Sequence, residues 1–233
     1  MHALDADIAD SRWSGLYRAG AWAALIIVAL IPVQMVVFTV WPPPEAVADW
    51  FARFQSSWLL GLVSADLLFM VSNVLLALVY LGLYPALRRD GESAMVIALV
   101  LGFIGIAAYL ASNTAFEMLA LSNRYGAAAT DAERAMLLAA GQAMLQTTTG
   151  TSFDAYYILN AIVLLIVAPV MLRGHVFSRT TAYTALASGV LMLIPSSAGT
   201  IGTIFSIASL VPWAWFSILI ARRLLQLARL AAN

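Results

Sequence analysis

The chain has 233 residues, 63% of them apolar and 10% charged, with a mean hydropathy of +0.90, a balance far outside that of soluble globular domains. Its net charge is zero, so the basic surface that neutralises phosphates is missing and nucleic acid is excluded as a partner. Cysteine and lysine are both absent, which removes disulfides, thiolate metal sites, iron–sulfur clusters, cysteine nucleophiles and Schiff-base chemistry. Two histidines, His2 and His175, cannot assemble a multi-histidine zinc or haem site, so neither a metal nor a cofactor is expected.

Asp5, Asp7 and Asp10 give an acidic start, unlike the basic front of a secretory signal peptide, and the first apolar segment is expected to be retained. That segment, 19–41, is long enough to span a bilayer, with Trp13, Trp22 and Trp41 suited to the interfaces. Pro32 predicts a bend within it, and Gln34 a hydrogen bond to a neighbouring helix. Pro42, Pro43 and Pro44 end it, and 45–54, with Val47, Trp50, Phe51 and Phe54 on one side, reads as a short interfacial helix.

The second span, 58–87, carries Asp66 and Asn73 on one helical face and stops at Arg88, Arg89 and Asp90. The third, 93–122, carries a stripe of Ala98, Gly102, Gly105, Ala108 and Ser112 that lets another helix approach closely. Thr130 and Glu133 form a capping-box pattern, so an interfacial or partly inserted helix is expected over 131–147. The fourth span, 151–172, holds Asp154, Tyr156, Tyr157 and Asn160 in its first half. A fifth follows at 180–194, a break at Pro195 to Gly199, and a sixth at 200–220. The fold class is therefore all-α: one polytopic membrane domain over residues 1–233, a bundle of about six transmembrane helices with short interfacial helices.

With six spans and an inner N-terminus, nine arginines lie on the inner side and three, Arg53, Arg124 and Arg134, on the outer side. Both termini are then cytoplasmic by the positive-inside rule, in an inner (plasma) membrane. The bilayer is the one obligatory partner.

In this topology Asp66, Glu117 and Asp154 all fall in the outer half of the bundle. Asn113 and Glu117 are four apart on one face, and Asp154 and Tyr157 three apart on another. The candidate ligand- or proton-binding residues are Glu117, Asp66, Asp154, Asn113, Asn73, Tyr157 and Asn160, and no metal ligands are expected. A carboxylate in lipid costs roughly 2.5–3.5 kcal/mol on insertion scales, so it needs a reason to be there. Desolvation and like-charge proximity would raise the carboxyl pKa values and keep at least one proton bound at neutral pH. The competing reading is that these groups hydrogen-bond one another and only fix the packing.

Several of these features together resemble a bacterial family of multi-pass membrane proteins of unknown function. They are the aromatic and small-residue start from Arg12 to Trp22, the acid in Ala65, Asp66, Leu67 and Leu68, the pair Arg88 and Arg89, Glu117, and the loop glycine Gly174. The resemblance implies a six-helix inner-membrane protein and brings no catalytic residues with it.

Three functions remain open. The first is a protein that binds a small or amphiphilic ligand, or a proton, in an outer polar pocket as a sensor, carrier or accessory subunit. The second is an intramembrane enzyme using carboxylate acid/base chemistry on a lipid or isoprenoid. The third is a structural partner of another membrane protein.

Overall fold

A computed structural model describes residues 11–232; the acidic start at Asp5, Asp7 and Asp10, and His2, lie outside the described residues. A single 3-10 turn, Ser11–Trp13, leads into nine α-helices: α1 Ser14–Val40, α2 Val47–Ser56, α3 Trp58–Ser64, α4 Leu67–Ser112, α5 Ala115–Ala127, α6 Asp131–Thr147, α7 Thr151–Arg173, α8 Arg179–Leu191 and α9 Gly199–Leu230. The described residues contain no strand. Four helical runs are long and apolar enough to cross a membrane: 11–40, 67–127, 131–173 and 199–230.

The second of these runs turns back on itself. Gly91 leaves helical geometry in the middle of α4, and residues equidistant from it then meet across two antiparallel arms. The Tyr80 ring fills the space above Gly102, Phe69 stands edge-on to Tyr109 at 5.0 Å between ring centres, and Asn113 Nδ2 donates to the Ala65 carbonyl (3.2 Å). The Arg88, Arg89 and Asp90 stop signal therefore marks a hairpin.

The long helices form a ring in which α1 packs on α4, α4 on α7, α7 on α8, α8 on α9, and α9 back on α1. Small residues allow the closest approaches. A Cβ on Gly20 would lie 3.0 Å from the Leu78 carbonyl and 3.1 Å from the Gly82 Cα, so α1 and α4 touch backbone to backbone. Gly105 leaves room for the Asn160 side-chain amide and lies close to the Tyr156 carbonyl of α7, which is the packing role read from the 98–112 stripe. The outward faces stay apolar, with Trp22, Val36, Val100, Ile204 and Val211 all more than half exposed.

The remaining helices make a cap with its own core of Val47, Trp50, Phe51, Phe54, Met118 and Leu137. α2 packs on α5, and α5 on α6. α2 owes this to its one-sided pattern: Val47, Trp50, Phe51 and Phe54 are all buried. The capping box forms as read, with Thr130 Oγ1 accepting from the Glu133 N–H (3.2 Å) and Glu133 reaching back to the Ala129 N–H (3.2 Å).

Four sequence readings are corrected. The segment 58–87 is not one helix, because α3 ends at Ser64 and Asp66 stands outside α4 with φ 67°. The segment 93–122 is broken as well, at Asn113 and Thr114. α9 runs ten residues beyond 220, to Leu230, because Leu224, Leu227 and Ala228 repeat at helical spacing and are buried. Gln34, half-buried in α1, makes no hydrogen bond to a neighbour through either amide atom.

Candidate functional site

The two unforeseen breaks lie side by side. At the first, Ala65 closes α3 by donating its N–H to the Gly61 and Leu62 carbonyls, and Asp66 takes the left-handed conformation before α4 begins. Aspartate is one of the few residues that visits this region readily, because its short polar side chain can bond locally. At the second, Asn113 is extended, and its Oδ1 accepts the Ala115 N–H (3.1 Å), capping α5. The bond from Asn113 to the Ala65 carbonyl ties the two breaks together.

Between them, and under the cap, lies a cleft of about 160 Å³. Asp66, Tyr109, Asn113 and Thr114 line it from the bundle side, Phe153 from α7, and Trp50 and Met118 from the cap. Asp66 is half-buried. Among the described residues it has neither a capping hydrogen bond nor an ion-pair partner. Tyr109 is 2% exposed, and its hydroxyl makes no hydrogen bond. Behind the cleft, Phe69, Tyr109, Phe153, Tyr156 and Tyr157 form a continuous aromatic cluster with ring centres 5.0–6.5 Å apart. Buried Asn73 stands at the back of it, with Nδ2 donating to the Phe69 carbonyl (3.0 Å) and Oδ1 making no hydrogen bond.

The residues singled out in the sequence separate into three groups. Asp66 and Asn113 line the cleft, and Asn73 stands close behind. Asp154, Tyr157 and Asn160 lie outside the cleft and are hydrogen-bonded across the fold: Asp154 accepts from Ser197 (2.5 Å), Tyr157 donates to Ser206 (2.6 Å) and Asn160 accepts a short bond from Tyr80. Glu117 belongs to neither group. It sits in the first turn of α5, exposed, where its charge complements the helix N-terminus. The break at Asn113 removes the common face that the four-residue spacing predicted. The three acids do not share a pocket, so like-charge proximity does not act among them.

Tyr109 and Phe153 are the site residues that the sequence reading missed. Tyr109 lies four residues before Asn113, a spacing that places a polar-tipped ring on the same helical face. A wider groove of about 460 Å³ lies at the opposite end of the bundle, where Arg18 and Trp22 of α1 face Leu225 and Arg229 of α9. It has the arginine and tryptophan composition ordinary at a lipid headgroup layer, and none of the candidate residues lines it.

No family model, no curated protein and no solved structure matches the chain. The fold and site together define an all-helical bundle that carries four runs able to cross a membrane and, at one end, a capped cleft holding a single carboxylate.

Proposed function

We propose that the chain is a six-crossing inner-membrane protein that binds a small or amphiphilic ligand in the cleft at Asp66, serving as a sensor, carrier or accessory subunit. The observation that carries this reading is the pairing of two helix breaks that bring an unpartnered Asp66 and the Tyr109 ring to one cavity. Buried polar groups are ordinarily satisfied, and an ionisable residue at membrane depth marks a functional site by default. The wall chemistry fits as well, since ligand sites are mostly apolar and aromatic with a few placed polar groups.

The hairpin at Gly91, whose arms each exceed the roughly 20 residues a span needs, raises the four apolar runs to five crossings, and α8, a helix of 13 residues packed between α7 and α9, is the proposed short sixth. Support for cytoplasmic termini comes from the clustering of basic residues. Arg88 stacks on Trp13 at 5.5 Å, Arg223 donates to the Val176 carbonyl (2.6 Å), and Ser14 bonds to the Ala228 carbonyl (3.4 Å). These contacts, with Arg18 and Arg229 in the groove nearby, gather the start of α1, the end of α9 and a cluster of arginines at the end remote from the cleft, and the cleft then faces the outside. A two-carboxylate enzyme would need a second acid at Asp66, and Glu117 and Asp154 are elsewhere.

Native mass spectrometry of the gently solubilised chain tests the reading. A bound small molecule is expected on the wild type and lost, or at least tenfold reduced, in Asp66→Asn. An adduct equally retained by both proteins would contradict it.

A further inference from the structure

We infer that the occupant of this cleft is an organic cation, a primary or quaternary ammonium headgroup. The inference rests on the ligand-binding reading above and deepens it.

The charge at the site is the first ground. Asp66 brings a carboxylate to the cleft without a counter-charge among the described residues. The nearby Arg53 guanidinium makes no ion pair with it: Nη1 lies within hydrogen-bond reach of the Pro42 carbonyl (2.9 Å), the Trp41 carbonyl (3.2 Å) and Ser64 Oγ (3.3 Å), and the group stacks on Trp50 at 5.8 Å. An anion would be repelled by the Asp66 carboxylate, and a neutral ligand would leave that carboxylate desolvated and unpaired.

The walls are the second ground. Trp50, Tyr109 and Phe153 present aromatic rings to the cavity, and ring faces attract desolvated cations, quaternary ammonium groups above all.

Size and donor set narrow the class further. A cavity of about 160 Å³ corresponds to about five waters at roughly 30 Å³ each, room for a headgroup of a few heavy atoms and not for a whole lipid. A metal ion finds no group of three or more His, Asp or Glu side chains among the described residues.

Isothermal titration of the full chain in a maltoside detergent, whose headgroup carries no ammonium, with three soluble probes of like size, tests the proposal. Tetramethylammonium is expected to bind at least tenfold more tightly than tert-butanol, and methanesulfonate not to bind. Asp66→Asn is expected to weaken the cation at least tenfold while leaving tert-butanol unchanged, and it keeps the fold because asparagine also tolerates the left-handed conformation. Phe153→Leu, which leaves the break untouched, is expected to weaken the cation severalfold. Binding of tert-butanol as tight as that of the cation, or a cation affinity unmoved by Asp66→Asn and Phe153→Leu, overturns the cation assignment and leaves a ligand cleft standing. Failure of all three probes, with a native adduct insensitive to Asp66→Asn, overturns both.

Discussion

At the residue scale, two aspartates illustrate what burial does to a carboxylate in this chain. Asp66 sits where the backbone has φ 67° and faces a cleft, so its conformation and its exposure to a ligand have the same cause. Asp90 sits in the hairpin turn outside the spans, with the Cα of Gly174 against its carboxylate and one oxygen buried without a hydrogen bond. Burial raises its pKa, and nearby His175 offsets this only in part. A raised folded-state pKa favours the protonated acid in the native protein. The resulting stability is complete below the unfolded value of about 3.9 and is lost as pH rises through the folded value. Asp90→Asn should therefore raise the unfolding temperature near pH 7, with the gain shrinking toward zero near pH 4. A gain that grew on acidification would contradict this; unfolding scans from pH 4 to 8 decide it.

At the element scale, the ring depends on helices that meet without side chains between them. A Cβ on Gly82 would lie 3.0 Å from the Leu16 carbonyl and 3.2 Å from the Gly20 Cα, both backbone atoms that cannot swing aside. Gly82→Val is expected to destabilise the protein by about 1–3 kcal/mol, the range for overpacking, and Gly15→Val by much less, since nothing lies within 4 Å of that position. Equal melting temperatures for the two variants would remove the close α1–α4 contact from the account. Most elements were legible in the sequence because their signals are local: Pro42 to Pro44 ending α1, the one-sided pattern of α2, the Thr130 and Glu133 box, and Arg88 to Asp90 before the hairpin. The breaks at Asp66 and Asn113 were not. Both interrupt apolar runs that contain no proline there, and hydropathy alone reads through them. The only local cue is short polar side chains, Asp66 and the pair Asn113 and Thr114, which compete with the helix for backbone bonds.

At the scale of the whole molecule, the cleft lies where two separately built cores meet. The bundle core supplies Tyr109 and the cap core supplies Trp50 and Met118. Seven polar and acidic positions were nominated from the sequence on the premise of unbroken helices. The hairpin pairs positions about equidistant from Gly91 and so brings Asn113 beside the Ala65 to Asp66 break, while the break at Asn113 resets the direction of Glu117. Long-range packing, not composition, decided that Asp154, Tyr157 and Asn160 would bond to Ser197, Ser206 and Tyr80. In the proposed orientation the cleft opens outward and its occupant covers the Ala65 to Asp66 break.

Because the chain contains no cysteine, a single Ala65→Cys substitution turns that claim into one measurement: its rate of labelling by a membrane-impermeant maleimide in intact cells, with and without tetramethylammonium. The account predicts labelling without permeabilisation and at least severalfold slowing by the cation. Labelling that requires permeabilisation, or that proceeds at the same rate with saturating cation present, would contradict it.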